Sequence, residues 1–181
     1  MPTIRLAQPA DLDILMYFEE VCFPNNYHVI SRKHMDRFLS ERSSAKIWIH
    51  EDEDEQGPFA NGYALITYKP HVKNARVYSI AVHPRFAGQG IGKRLLQTVI
   101  QDCRESGFHT LHSEVELTNE ASLSLFKSCG FLRYMRLEWY YGKGKDGVRM
   151  RLVLTQKKLK AAGDAAASGR IGLAKLYSTT A

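Results

Sequence analysis

Val77-Tyr78-Ser79-Ile80-Ala81-Val82 is followed by His83-Pro84-Arg85-Phe86-Ala87-Gly88-Gln89-Gly90-Ile91-Gly92-Lys93-Arg94-Leu95-Leu96. The first six residues are an apolar β-rich run, the glycines form a loop, and the last residues open an amphipathic helix. A strand, a glycine loop and a helix start together aim free backbone N–H groups and the positive end of the helix dipole at one point, so an anion is the expected guest. Phosphate is the first candidate. The alternative is a glycine-rich turn that holds nothing.

Known glycine loops narrow the choice by their spacing. Aligning Gly92-Lys93 with the Gly-Lys of a P-loop places Ala87 at the first glycine and Arg94 where a Ser or Thr would hold magnesium. A dinucleotide fingerprint through Gly88 and Gly90 needs a third glycine at Lys93, and no acidic residue ends a second strand about 20 residues later. The stretch resembles instead the loop of the GNAT superfamily of acyl-CoA-dependent N-acyltransferases, [Gln/Arg]-x-x-Gly-x-[Gly/Ala] after a strand ending in a small residue and valine. Two registers fit, one starting at Arg85 with Gly88 and Gly90, the other at Ala87 with Gly90 and Gly92. The second keeps Gly-Ile-Gly-Lys-Arg-Leu-Leu at the helix start and is preferred, although it puts alanine where the family carries Arg or Gln.

A second block carries the same resemblance: Asn119-Glu120-Ala121-Ser122-Leu123-Ser124-Leu125-Phe126-Lys127-Ser128-Cys129-Gly130-Phe131 is similar to the family's Asn-x-x-Ala-x-x-Leu-Tyr-x-x-x-Gly-Phe. Glu114-Val115 ahead of it, and Phe23-Pro24 early in the chain, are closest in pattern to protein N-terminal acetyltransferases of the ribosomal-protein alanine type. Ser122 replaces the usual Ala, and Phe126 the usual Tyr.

The resemblance implies an α/β fold with a mixed, mostly antiparallel sheet flanked by helices, and acetyl-CoA as acetyl donor. It implies a cofactor site made of Ile80, Ala81 and Val82 on the strand, Gly88, Gln89, Gly90, Ile91, Gly92 and Lys93 in the loop and helix start, and Asn119 and Phe126 in the second block. The acceptor it implies is a primary amine, foremost a protein N-terminal α-amine. A small amine or a lysine is the rival acceptor, and a non-catalytic acyl-CoA-binding domain is the rival class, resting on Ala87 and Phe126.

Acylating an amine needs a base for the amine proton and, preferably, an acid for the departing thiolate. On a strand, His112, Glu114 and Glu116 share one face while Leu111, Ser113, Val115 and Leu117 share the other, and a polar face on an interior strand marks a cleft. Glu114 is the base candidate, and the resemblance points to the same position. Its alternative is a structural carboxylate paired with Arg or Lys. Phenylalanine at 126 cannot donate a proton, so Tyr134, Tyr140 or water is left as the acid, or the thiolate leaves unassisted. Phe126 also suits core packing with Leu123, and Asn119 suits a helix N-cap.

The remaining residues describe one domain over residues 1–155. Of 181 residues 44% are hydrophobic and 24% charged, an ordinary globular balance. No apolar run reaches the ~18 residues of a membrane span and residues 1–5 lack a signal-peptide pattern, so a cytoplasmic protein is expected. Cys22, Cys103 and Cys129 have no metal-like spacing and read as free thiols, two of them on apolar helix faces. The formal charge is +6, but residues 156–181 hold five Lys/Arg against one Asp, so most of the excess belongs to a basic, alanine-rich tail. That leaves little reason to expect nucleic-acid binding by the domain.

Periodicity gives a strand at Ile4–Ala7, a helix through Cys22 with Asp11 as N-cap, and a helix from Ser31 to about Glu41. Between those helices Asn25-Asn26-Tyr27-His28 is the linker expected to wall the acceptor cleft. Strands at Ala45–His50 and Gly62–Lys69 flank an acidic run, Glu51–Glu55, expected in a hairpin loop. The helix after the glycine loop ends at Gly107, a strand spans Thr110–Leu117, a helix spans Asn119–Cys129, and β-runs at Leu132–Tyr141 and Val148–Thr155 close a last hairpin.

Overall fold

The computed structural model describes residues 2–23 and 29–155. The strands are β1 (Thr3–Leu6), β2 (Ala45–Asp54), β3 (Gly57–Tyr68), β4 (Asn74–Val82), β5 (Thr110–Glu116), β6 (Leu132–Leu137) and β7 (Gly147–Val153). The helices are α1 (Leu12–Cys22), α2 (Arg32–Leu39), α3 (Ile91–Glu105) and α4 (Glu120–Ser128). The strands form one seven-stranded sheet in the order β1-β2-β3-β4-β5-β7-β6. β4 and β5 run parallel, because α3 crosses between them; all other neighbours are antiparallel. This is the mixed, mostly antiparallel sheet flanked by helices that the sequence leads one to expect.

Two cores follow from the alternation of side chains along the strands. Ala64, Ile66, Val77, Leu111 and Val115 face α3 and α4 and pack with Leu95, Leu96, Val99, Cys103 and Phe126. Tyr63, Leu65, Ile47 and Ile49 face the other way and pack with Leu15, Phe18 and Met35 of α1 and α2. That second core draws on β2, β3 and β4 and on none of β5, β7 or β6.

Several boundaries differ from the sequence reading for local reasons. The acidic run is strand rather than loop as far as Asp54, with Glu55-Gln56 alone turning into Gly57 (φ +113°). Glu51 reaches Arg5 at 2.6 Å, and Glu53, Asp54 and Glu55 are exposed, so the strand ends absorb their like charges in solvent. β6 stops at Leu137, four residues early, because Trp139 is left-handed (φ +53°) and its amide is taken by Asp146 Oδ1 at 2.9 Å. Asp11 occupies the N-cap position of α1 but does not cap it: its carboxylate binds Arg5 and the Gln8 amide. Residues 24–28, including the expected cleft wall Asn25–His28, and the tail 156–181 lie outside the described residues.

The sheet splits at its centre. β4 and β5 are paired only from Asn74–Arg76 against Thr110–His112. Immediately beyond, the β3 pairing skips Tyr78, with Ile66 opposite Val77 and Leu65 opposite Ser79. A bulge of this kind bends and twists a strand. β4 therefore turns from β5, and the two strands open a V whose walls are Val77–Ile80 and Ser113–Glu116.

Candidate active site

The glycine loop begins where β4 ends. A short turn at Pro84–Phe86 leads into the loop, in which Gly88 (φ +78°) and Gly90 (φ +76°) hold left-handed conformations that side chains resist. Gly90 is the N-cap residue of α3, and the first intrahelical bond runs from the Arg94 amide to the Gly90 carbonyl at 3.0 Å. The amides of Ile91, Gly92 and Lys93 precede that bond and point out of the helix end. A Cβ on Gly92 would lie 3.3 Å from Leu125 Cδ2, so glycine there lets α3 and α4 approach closely.

A cavity of about 570 Å³ lies against this helix end. Ile80, Ala81 and Val82 form one wall, Gly88, Gly90, Ile91, Gly92 and Lys93 the floor, and Ser122 and Leu125 of α4 the far side. Converging amides suit a pyrophosphate, and the apolar strand and helix walls suit a pantetheine arm, so these residues fit acyl-CoA. Gln89 belongs to the loop but not to the lining. Its carbonyl accepts from Arg94 Nη1 at 3.1 Å, and Arg94 Nε donates to His50 Nε2 at 3.1 Å. Buried His50 in turn bonds Asn61 Oδ1 through Nδ1 at 2.6 Å. This chain from β2 and β3 to the loop has no local sequence signal, since its central link joins His50 to Arg94, 44 residues apart in the chain.

The V itself encloses a second cavity, of about 140 Å³. Glu114, Asn119 and Phe126 all line it; Asn119 Oδ1 also caps α4 by accepting the Ser122 amide at 3.0 Å, and Phe126 is 2% exposed, edge-on to Phe131. The Glu114 side chain is 2% exposed and carries Arg76 Nε on one oxygen at 2.6 Å and Arg149 Nε on the other at 2.8 Å. Of its face-mates, Glu116 lines the cleft and accepts from Thr118, while half-buried His112 has its pKa lowered by desolvation. Tyr134 is exposed beneath the Arg151 guanidinium, and Tyr140 accepts from Arg76 at 3.1 Å.

Glu19 is a second carboxylate in this cavity. It lies 1% exposed on α1, accepts from the Tyr63 hydroxyl and takes the Ile30 amide at 2.6 Å; Tyr63 continues to Ser79 Oγ at 2.8 Å. Burial pushes its pKa up, the three hydrogen bonds opposing. Its signal was in the sequence, a glutamate in register with Leu12, Leu15 and Cys22 on the apolar helix face, where a charge needs a reason. Tyr141, also lining the cleft, had no comparable signal. The three cysteines are free; burial raises the Cys22 thiol to about 11 and the Cys103 thiol to about 12.

Phe23, Ile80 and Ser122 line both cavities, so the two meet at Ile80, toward the C-terminal end of β4. Two cavities that share one strand of a split sheet suit the transfer of a group between two ligands. Residues 12–131 match the model of the acetyltransferase (GNAT) family, and the chain belongs to that family of N-acetyltransferases.

Among its relatives, the N-alpha-acetyltransferase RimI of Mycobacterium tuberculosis is 37% identical over 76 residues, 41% of this chain and 46% of that one. N-alpha-acetyltransferase 30 of Schizosaccharomyces pombe is 36% identical over 70 residues, 39% and 47% of the two chains. L-amino acid N-acyltransferase MnaT of Escherichia coli is 32% identical over 83 residues, 44% and 48%. The matched stretches thus span about half the length of these relatives. In fold, the ribosomal-protein-S18-alanine N-acetyltransferase of Escherichia coli superposes with a TM-score of 0.72 at 23% identity, covering 88% of this chain and 98% of that one. The yncA protein of Salmonella typhimurium, solved with acetyl-CoA, superposes at 0.71 and 23%, covering 90% and 99%. No helix among the described residues is long and apolar enough to cross a membrane.

Proposed function

We propose that this protein transfers an acetyl group from acetyl-CoA to the α-amine of a polypeptide N-terminus. The observation that carries the reading is the junction of the cavities at Ile80 and Ser122, which lets a donor on the glycine loop and an acceptor in the V meet on one strand. The RimI and N-alpha-acetyltransferase 30 relatives favour an α-amine.

Acetyl-CoA supplies an acetyl thioester. The amides of Gly88–Lys93 hold its pyrophosphate; Ile80, Ala81 and Val82 align the pantetheine arm, with Ser122 and Leu125 on the opposite wall, while Asn119 and Phe126 line the V into which the acetyl end points. The nucleophile is the neutral amine, and its proton passes to a carboxylate of the V. Glu114 is that base in the first reading. A second reading is favoured by the different partners of the two carboxylates: Glu114 is ion-paired to Arg76 and Arg149 and holds them in place, whereas Glu19 is held by the neutral Tyr63 hydroxyl and Ile30 amide, has its pKa raised by burial, and takes the proton. Phe126 has no proton to give, so water or unassisted departure serves the thiolate.

A peptide joined through its α-amine to CoA tests the reading. With both cavities filled by one molecule it should bind at least ~100-fold more tightly than CoA alone, the gain expected of linked sites. Equal affinity of the conjugate and CoA would rule out a shared donor–acceptor passage.

A further inference from the structure

The sheet face that bears Glu114 is covered by α1 and α2 only as far as β4. Register places Arg76, His112, Arg151 and Leu132 in one row across β4, β5, β7 and β6, and Glu114, Arg149 and Met135 in the next. Partners in register point to the same side. Glu114 is shared by two guanidiniums, so the pair leaves a positive charge over. Arg151 adds another: it lies 3.9 Å over the Tyr134 ring and has no carboxylate partner among the described residues. Glu116, held by Thr118 toward the cleft end of β5, is the opposing charge, and His112, its pKa lowered by burial, contributes none at neutral pH.

An amine in the V has beside it the part of this face that the α1 and α2 core does not cover among the described residues. Arg149 lies one strand from Glu114, about 5 Å, and Arg151 two residues further along, about 7 Å, within reach of the second to fourth residues of an extended peptide. We propose that Arg149 and Arg151 read carboxylates in the segment that follows the acceptor amine, so that preferred acceptors carry Asp or Glu at their second to fourth positions. This rests on the α-amine reading above.

The test compares kcat/KM of the full chain for peptides with one common first residue and Asp/Glu, neutral or Lys/Arg residues at positions two to four, at low and high salt. Acidic peptides should exceed basic ones by roughly tenfold, the preference should shrink with salt, and Arg151→Glu should reduce it several-fold, with Arg151→Gln between. Equal rates for acidic and basic peptides, or a preference that both variants leave intact, would overturn the proposal. Turnover of no peptide at all would instead overturn the α-amine reading and this inference with it.

Discussion

Ser113 Oγ donates to the Val77 carbonyl at 3.1 Å, across the point where β4 and β5 part. One residue earlier the strands are paired by their own main chains; past it they diverge. A buried side chain thus replaces a ladder bond at the apex of the V. Ser113→Ala should cost about 1 kcal/mol and leave a buried carbonyl without its partner. Thermal unfolding should move down by a few degrees, with a larger rise in acceptor KM than in acetyl-CoA affinity loss. Equal effects on both would mean the bond does not set the opening of the V.

Gly92 and Gly90 constrain the donor site in different ways. Gly92→Leu must displace Leu125, whose Cδ2 lies 3.3 Å from where the new Cβ would sit, and push α4 from α3. Gly90→Val meets only the flexible Arg94 side chain but is strained at φ +76°, at a cost of about 1–2 kcal/mol. Calorimetry should show acetyl-CoA affinity reduced at least ~10-fold in both, through geometry in the first and loop conformation in the second. Unchanged affinity in both variants would remove the loop from the donor site.

These two glycines were legible in the sequence because positive φ and close approach leave few residue choices. The order of the elements was legible for a similar reason, since apolar periodicity of two and of 3.6 residues is local. The split of the sheet was not: the bulge at Tyr78 and the bond from Ser113 depend on a pairing between segments distant in sequence. Nor was the double arginine clamp on Glu114, because Arg76, Glu114 and Arg149 become neighbours only through register. The polar face of β5 pointed to a cleft, but composition along one strand cannot name its cross-strand partners.

Arg5 joins Asp11 at 2.8 Å and Glu51 at 2.6 Å, tying the entry of α1 to β1 and β2. The Arg5 guanidinium, with the Gln8 amide, lowers the Asp11 pKa below the usual ~3.9. A depressed folded pKa means that the stabilisation is fully present above that value and is lost as pH falls through the lower, folded one. Arg5 is 38% exposed, so screening limits the effect to about 0.5–1 kcal/mol. Arg5→Ala should therefore lower the melting temperature at pH 7, and the gap from wild type should close as the solution is acidified below about 4. A gap independent of pH would assign the loss to packing.

Glu114 and Glu19 are separable by isosteric substitution. If Glu114 is the base, Glu114→Gln lowers kcat by roughly 100-fold or more with acetyl-CoA affinity little changed, and Glu19→Gln costs far less. If Glu19 is the base, the order reverses and the acid limb of the rate profile disappears in Glu19→Gln. Stability gives an independent readout. A raised folded pKa means that Glu19 favours the fold most below its ordinary ~4.3 and loses this as pH rises through the folded value, so Glu19→Gln should gain on wild type with rising pH. Wild-type kcat in both variants would leave neither carboxylate as base.

The most direct measurement is to incubate the full-length protein with acetyl-CoA and peptides of varied first residue, each also containing an internal lysine, and to locate the product by fragment mass spectrometry. The account predicts one added acetyl group on the N-terminal α-amine and release of one equivalent of CoA, with none on the lysine. Acetyl groups on lysine alone, or acetyl-CoA bound and returned intact with every peptide, would contradict it.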